Sequence, residues 1–124
     1  MKEENRIAKI VVDGAIKVHR KLGPGLLESA YQAALAHVLI SKGLSVELEK
    51  SQPVYFEETK LDVGYRLDML VNKKVIVELK AVEELTKIHM AQVLTYLKLS
   101  KCRLGLLLNF NVLLMKNGIK RIIL

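Results

Sequence analysis

Two short apolar segments, Tyr65–Val71 and Val75–Lys80, are separated only by Asn72-Lys73-Lys74, and this spacing constrains the fold more than any other feature of the chain. Both segments are rich in apolar and β-branched residues, as β-strands are, and a three-residue loop joins two strands into a hairpin. With Val71 opposite Val75, one face is entirely apolar, whereas a slip by one residue would set apolar side chains against charged ones. The pattern therefore selects one register for the hairpin.

This register places Asp68 directly opposite Glu78, with Lys80 on the same face of the sheet. Two opposed carboxylates repel each other, so their presence on a half-buried sheet favours a cation between them. Two oxygen ligands beside an ammonium group suit metal-assisted phosphodiester hydrolysis, because Mg²⁺ prefers carboxylate, carbonyl and water oxygens. An ordinary salt-bridged surface explains the same spacing, since an Asp followed ten residues later by Glu-x-Lys is common by chance. Both interpretations stay open at this point.

Hydrophobic periodicity divides the rest of the chain into helices and short strands of one domain, residues 1–124. We expect helices over residues 4–21, about 26–42 and about 83–100, and further strands over 44–49, around 54–57 and over 103–109. A final hairpin over 112–124 would turn at Asn117-Gly118, a strong turn signal. The predicted order α-α-β-β-β-β-α-β-β-β indicates an α/β domain with a mixed central sheet.

The third predicted helix follows the Glu-x-Lys strand and carries polar side chains on one face. Gln92 and Tyr96 lie one turn apart there, with His89 on the same side. From this position the Gln and the Tyr would contact a phosphate backbone or brace Lys80. A core position is the simpler explanation for any single tyrosine, and His89 lacks the partner histidines of a metal ligand.

The break between the first two helices, Gly23-Pro24-Gly25, puts Glu28 in the first turn of the second helix, with Tyr31 on the same side. The helix dipole favours an acidic residue in a first turn, so Glu28 has a structural explanation beside a functional one. His19, before the break, would either cap the first helix or point into the site. We count Tyr31 and His19 as candidate substrate-positioning residues, and the sequence leaves these alternatives open.

The net charge of +7 lies entirely after Asp62, which hints at an anionic partner, nucleic acid first. The single cysteine, Cys102, excludes an internal disulfide framework and a cysteine-based zinc site, and it fits a reducing cytoplasm. No charge-free stretch is long enough for a membrane helix, so we expect a cytoplasmic protein without a membrane partner. The absence of Trp and the presence of only two Phe disfavour a stacking platform of the RRM type.

Taken together, these motifs resemble those of the GxxExxY proteins, a group of small domains in the PD-(D/E)XK nuclease superfamily. The naming motif stands at Gly25-Leu-Leu-Glu28-Ser-Ala-Tyr31. Further matching segments follow it in the expected order, at residues 65–68, 76–82, 89–97, 105–110 and 118–122. The resemblance covers nearly the whole chain and implies a restriction-endonuclease-like core, in which a mixed sheet is flanked by helices.

The same resemblance assigns roles to the residues of the central hairpin. It implies that Asp68 and Glu78 bind Mg²⁺ or Mn²⁺, with the backbone carbonyl of Leu79 as a further ligand. Lys80 matches the motif lysine, which would orient the attacking water.

Two more assignments come from branches of the superfamily. Gln92 and Tyr96 match a Gln-x-x-x-Tyr helix of RecB-like branches and would place the substrate. Glu28 is the natural candidate for the acidic metal ligand that an N-terminal helix often adds. The cysteines that bind an iron–sulfur cluster in some relatives are missing, so we expect no such cluster.

The leading prediction is a metal-dependent nuclease, with DNA favoured over RNA as the substrate. At 124 residues the chain has little room for sequence readout, which a homodimer or a protein partner would have to supply. The alternative is a non-catalytic nucleic-acid or protein binding module on the same fold, and a third prediction is an interaction subunit that docks through its basic half. Intact Asp68, Glu78 and Lys80 favour the nuclease, since a retired site has no chemical reason to keep all three.

Overall fold

A computed structural model describes the whole chain, Met1–Leu124. The helices are α1 (Lys2–Leu22), α2 (Glu28–Ser41) and α3 (Lys87–Ser100). The strands are β1 (Val46–Gln52), β2 (Tyr55–Phe56), β3 (Thr59–Lys60), β4 (Tyr65–Val71), β5 (Val75–Lys80), β6 (Leu104–Asn109) and β7 (Ile119–Ile123). The bounds predicted for β4 and β5 are confirmed to the residue, whereas α3 begins four residues later than expected.

Five strands form the main sheet in the order β1-β4-β5-β6-β7, and β2 and β3 form a separate two-stranded hairpin. The neighbours β5 and β6 are parallel and are joined by the crossover helix α3, whereas the other neighbours are antiparallel. Burial of β5 on both faces explains its run of apolar residues. The predicted mixed sheet flanked by helices is confirmed, and the candidate site residues lie on its central strands.

Helices α1 and α2 cover one face of the sheet, and α3 covers the other. On the first face, the apolar stripe of α1 packs against Met69, Val77 and Leu79. On the second, Leu97 of α3 packs with Leu67, Leu70 and Ile76. Two layers of helix therefore enclose the central strands and leave only the ends of these strands open to solvent.

The predicted register of the β4–β5 hairpin is confirmed for the pairs Val71–Val75, Leu70–Ile76 and Met69–Val77, where the ladder ends. The same register also predicts that Leu67 lies opposite Leu79 on the apolar face, and this part of the prediction is wrong. Leu67 packs on the α3 side and Leu79 on the side of α1 and α2. The change of face occurs at Asp68, where the side chains of the two strands replace backbone hydrogen bonds.

The predicted C-terminal hairpin over residues 112–124 is also wrong, because residues 112–114 are not a strand. A 3₁₀ turn, Met115–Gly118, leads instead into the single strand β7, which pairs antiparallel with β6. The Asn117-Gly118 signal therefore marks the end of this turn. Glycine is required there because a Cβ at Gly118 would overlap the backbone carbonyl of Asn109.

This close approach gives a stability prediction. We expect Gly118→Ala to lower the free energy of unfolding by roughly 1–3 kcal/mol, because backbone must shift to admit the methyl group. Gly64→Ala is the matched control, since a Cβ at Gly64 meets nothing within 4 Å. Urea unfolding followed by circular dichroism measures both variants. Equal stability of the two would contradict the close approach.

Candidate active site

The site forms where the β4–β5 ladder opens, at Asp68 and Glu78. The backbone N–H of Asp68 donates to Oε1 of Glu78 at 2.9 Å, and the backbone N–H of Leu79 donates to Oδ2 of Asp68 at 3.0 Å. Each carboxyl group thus takes the place of a backbone carbonyl on the opposite strand. The two acids are interlocked with the backbone of the sheet, which fixes them side by side.

Both carboxyl groups of this interlocked pair have raised pKa values. Glu78 is only 4% exposed, and burial, followed by the charge of Asp68, raises the pKa of Glu78 to about 8. Burial also raises the pKa of the half-buried Asp68, although the hydrogen bond from Leu79 opposes the change. At neutral pH and without a cation, the pair therefore retains a proton.

Lys80 ends strand β5 on the same side as Glu78. Its positive charge lowers the pKa of both carboxyl groups, but by less than their burial raises it. No ion pair engages the Lys80 side chain, and its backbone is held by the N–H of Phe110, which donates to the Lys80 carbonyl at 2.9 Å. The ammonium group is thus placed near the acids and is free to contact another molecule.

Two residues that the sequence analysis missed stand beside Asp68. The amide of Gln32, on α2, donates to the backbone carbonyl of Asp68 at 2.8 Å and to Oε1 of Glu49 at 3.2 Å. Glu49 has a left-handed backbone, with φ of 50°, and its negative charge helps to raise the pKa of Asp68. The pairing of β1 with β4 sets Leu48 opposite Met69 and Lys50 opposite Leu67, so Glu49 lies at the level of Asp68. The sequence alone does not give this pairing.

Helix α3 supplies the polar wall of a neighbouring cavity of about 330 Å³, which is lined by Val54, Tyr65, Gln92, Thr95, Tyr96 and Leu99. Burial, followed by the charges of Glu78 and Asp68, raises the pKa of Tyr96. Gln92 is exposed and forms no hydrogen bond within the chain. The structure therefore brings Gln92 and Tyr96 together, with Tyr96 within electrostatic reach of the carboxyl pair.

The start of α3 is set by a capping box. The backbone N–H of His89 donates to Oγ1 of Thr86 at 3.4 Å, and the backbone N–H of Thr86 donates to Nδ1 of His89 at 3.1 Å. Glu83 and Glu84 therefore lie in the preceding loop, outside the helix predicted from residue 83. His89 has a structural role at the cap.

Tyr31 and His19, which were predicted to position a substrate, are both held by contacts within the protein. Tyr31 is fully buried and stacks on Phe110 with ring centroids 4.5 Å apart. Its hydroxyl donates to the Gly23 carbonyl at 2.6 Å and accepts from the Leu26 N–H at 3.0 Å. His19 is buried, and its Nε2 donates to the carbonyl of Val112 at 2.7 Å. Both side chains anchor loops behind the sheet.

Glu28 takes no part in the contacts that join Asp68 and Glu78. It is the first residue of α2, it is exposed, and it forms no hydrogen bond or ion pair. It shares a helix face with Gln32, one turn further on, which does reach Asp68. No group of three or more His, Cys, Asp or Glu side chains is placed to hold a metal ion. The role of Glu28 as a metal ligand therefore stays a prediction.

Comparison with known proteins agrees with the fold. A family model of the PD-(D/E)XK nuclease superfamily matches the chain over residues 5–122. The chain therefore belongs to that superfamily. The restriction-endonuclease-like fold is thereby confirmed, and a nuclease-like function is supported. No curated protein and no solved structure matches the chain significantly. None of the helices combines the length and the apolar character needed to cross a membrane.

PD-(D/E)XK nucleases generally use divalent metal ions such as Mg²⁺ or Mn²⁺, and the carboxyl pair fits such a cation. The donor atoms are hard carboxylate oxygens, which suit Mg²⁺ and Mn²⁺. Each acid uses one oxygen for the backbone of the opposite strand and keeps a second. Burial and the charge of Asp68 raise the pKa of Glu78, so a cation bound between the two acids would offset the cost of keeping both ionised.

Proposed function

We propose that this chain is a metal-dependent nuclease that hydrolyses phosphodiester bonds, with DNA as the favoured substrate over RNA. One observation carries the proposal: a buried, interlocked pair of acids stands beside an unpaired lysine at the open ends of the central strands. A buried carboxyl pair with perturbed pKa values, in reach of a cavity, is typical of a catalytic centre. Membership of the nuclease superfamily supports the same conclusion.

In this proposal Asp68 and Glu78 hold Mg²⁺ or Mn²⁺, and the carbonyl of Leu79 is a further ligand. When bound, the cation supplies the positive charge that polarises the phosphodiester. Lys80 orients the attacking water and offsets charge that develops on the phosphate. Gln92 and Tyr96 position the substrate strand beside the acids. The protein is cytoplasmic, and a homodimer or a partner protein supplies any sequence readout.

A second candidate function is a nucleic-acid or protein binding module without cleavage. It is favoured by the hydrogen bonds of the two acids to the backbone, because Asp68 and Glu78 close the sheet even where no metal binds. The fold would therefore keep both acids in a chain that only binds. Metal dependence separates this module from the nuclease.

The experiment is a cleavage assay with purified protein on supercoiled plasmid, linear duplex, single-stranded DNA and RNA. We expect products with Mg²⁺ or Mn²⁺ and none in EDTA. Binding without cleavage under every metal condition, weakening steeply with added salt, would favour the module instead. Cleavage that persists in EDTA would contradict the metal centre.

A further inference from the structure

The few aromatic residues of the chain are concentrated beside the candidate active site. The chain has four Tyr, two Phe and no Trp. Tyr31 and Phe110 stack on each other in the core. The remaining aromatic side chains lie at the cavity or on the β2–β3 hairpin next to it, namely Tyr55, Phe56, Tyr65 and Tyr96. The low number of aromatic residues disfavours a broad stacking platform, but it is compatible with one local aromatic site.

One of these rings faces solvent at the cavity. Tyr65 lines the cavity and is 47% exposed, and its ring lies 6.5 Å from that of Tyr96 at a tilt of 56°. The cavity therefore has an aromatic wall that the protein leaves uncovered.

The other wall of the cavity is polar and leads to the acids. Gln92 and Thr95 line it from α3 and offer both hydrogen-bond donors and acceptors. Tyr96 also lines it, and the charges of Glu78 and Asp68 act on its hydroxyl. An aromatic ring held in this cavity would therefore present its hydrogen-bonding edge to α3, next to the site proposed for phosphodiester hydrolysis.

Basic side chains lie on the same face of the sheet as the cavity. Lys50 is exposed on β1 opposite Leu67, which packs on the α3 side, and its ammonium group lies 3.7 Å from Oε1 of Glu47. Lys80 stands unpaired near the acids on β5. These two cations suit the phosphates of a strand that passes from the cavity to the carboxyl pair.

We infer that this cavity receives an unpaired nucleobase, so that the substrate is a single strand or the frayed end of a duplex. The inference rests on the proposed nuclease function and names its substrate class. A base has a π-face for Tyr65 and a hydrogen-bonding edge for Gln92 and Thr95. A base within a duplex reaches such a cavity only by leaving the stack, which costs free energy.

Binding measured in EDTA tests this inference independently of cleavage. Fluorescence anisotropy with a labelled twelve-nucleotide oligo(dT) and a hairpin duplex of equal charge compares the two substrate classes. We expect the single strand to bind roughly 10-fold or more tightly than the duplex. A 2-aminopurine base in the single strand should lose fluorescence on binding, as stacked bases do.

Variants of the exposed tyrosine locate the contact. We expect Tyr65→Ala to weaken single-strand binding by roughly 5- to 100-fold, which is the range for loss of one stacked base. Tyr65→Phe keeps the ring and should retain affinity within about 2-fold. Tyr55→Ala is the matched control, because Tyr55 is 59% exposed but does not line the cavity.

Equal affinity for duplex and single strand, or no loss on Tyr65→Ala, would overturn the inference. Binding of neither nucleic acid would overturn it as well and would favour an apolar protein segment as the occupant. Failure of the proposed function is distinguishable, because a protein that binds single strands through Tyr65 but never cleaves them contradicts only the nuclease. A nuclease that prefers duplex contradicts only the substrate class.

Discussion

Asp68→Asn is expected to lower the rate of metal-dependent cleavage by roughly 10²-fold or more, while the protein stays folded. The substitution removes the negative charge that holds the cation. It keeps an oxygen that accepts the hydrogen bond from the Leu79 N–H, so the sheet remains closed at this point. Cleavage of single-stranded DNA at saturating Mn²⁺, with circular dichroism as a check on folding, measures the effect.

The control for this loss is Asp13→Asn, which makes the same chemical change in an exposed ion pair with Lys9 on α1. We expect full activity from that variant. Lys80→Met removes the unpaired ammonium group and is expected to lower the rate without weakening Mn²⁺ binding, which calorimetry measures separately. Unchanged cleavage in Asp68→Asn would remove the acids from the mechanism.

The second large effect is a dependence of stability on pH that originates at Glu78. Its pKa is about 8 in the folded protein, against 4.5 for an ordinary glutamate. Between these values the folded state binds a proton that the unfolded chain has released. Stability from this group is therefore fully present below pH 4.5 and is lost as pH rises through 8. The loss amounts to roughly 5 kcal/mol, since each unit of pKa corresponds to about 1.4 kcal/mol.

Glu78→Gln should remove most of this dependence, because an amide cannot ionise and its oxygen still accepts from the Asp68 N–H. We expect the variant to unfold at higher urea concentration than the wild type at pH 9 in EDTA. Mn²⁺ should stabilise the wild type at that pH and have little effect on the variant. Glu84→Gln, an exposed glutamate of the loop before α3, is the control. A wild-type stability that does not fall between pH 5 and pH 9 would contradict the buried proton.

The sequence predicts the central hairpin well because its apolar pattern is local. The bounds of β4 and β5 and the pairing near the loop follow from alternation alone. The pattern fails at Asp68 and at the residues of β4 that precede it. Hydrogen bonds from side chain to backbone open the ladder there, and Leu67 lies on the other face of the sheet. Alternation assumes an unbroken ladder, so it cannot predict where side chains replace the backbone as hydrogen-bond partners.

The contacts of the remaining residues near the site depend on segments that are distant in the sequence. Tyr31 and His19 are polar and lie in a motif region, but their partners are the Gly23 and Val112 carbonyls, which only the folded chain brings close. Gln32 and Glu49 stand in no recognised motif, and their place beside Asp68 depends on the docking of α2 and on the pairing of β1. Short motifs identify the acids and the lysine, and tertiary packing decides which neighbours join them.

Because Asp68 and Glu78 each complete a backbone hydrogen bond of the sheet, selection for folding alone would preserve both acids. Folding and catalysis therefore both account for the presence of the two acids, whereas Lys80 has no such structural role. The side chains of Lys80 and Gln92 form no hydrogen bond or ion pair within the chain, so folding places little constraint on them. In a lineage that loses cleavage, these two positions would drift first and leave intact acids beside a replaced lysine. An intact lysine at position 80 is therefore a better sign than intact acids that a related chain still cleaves its substrate.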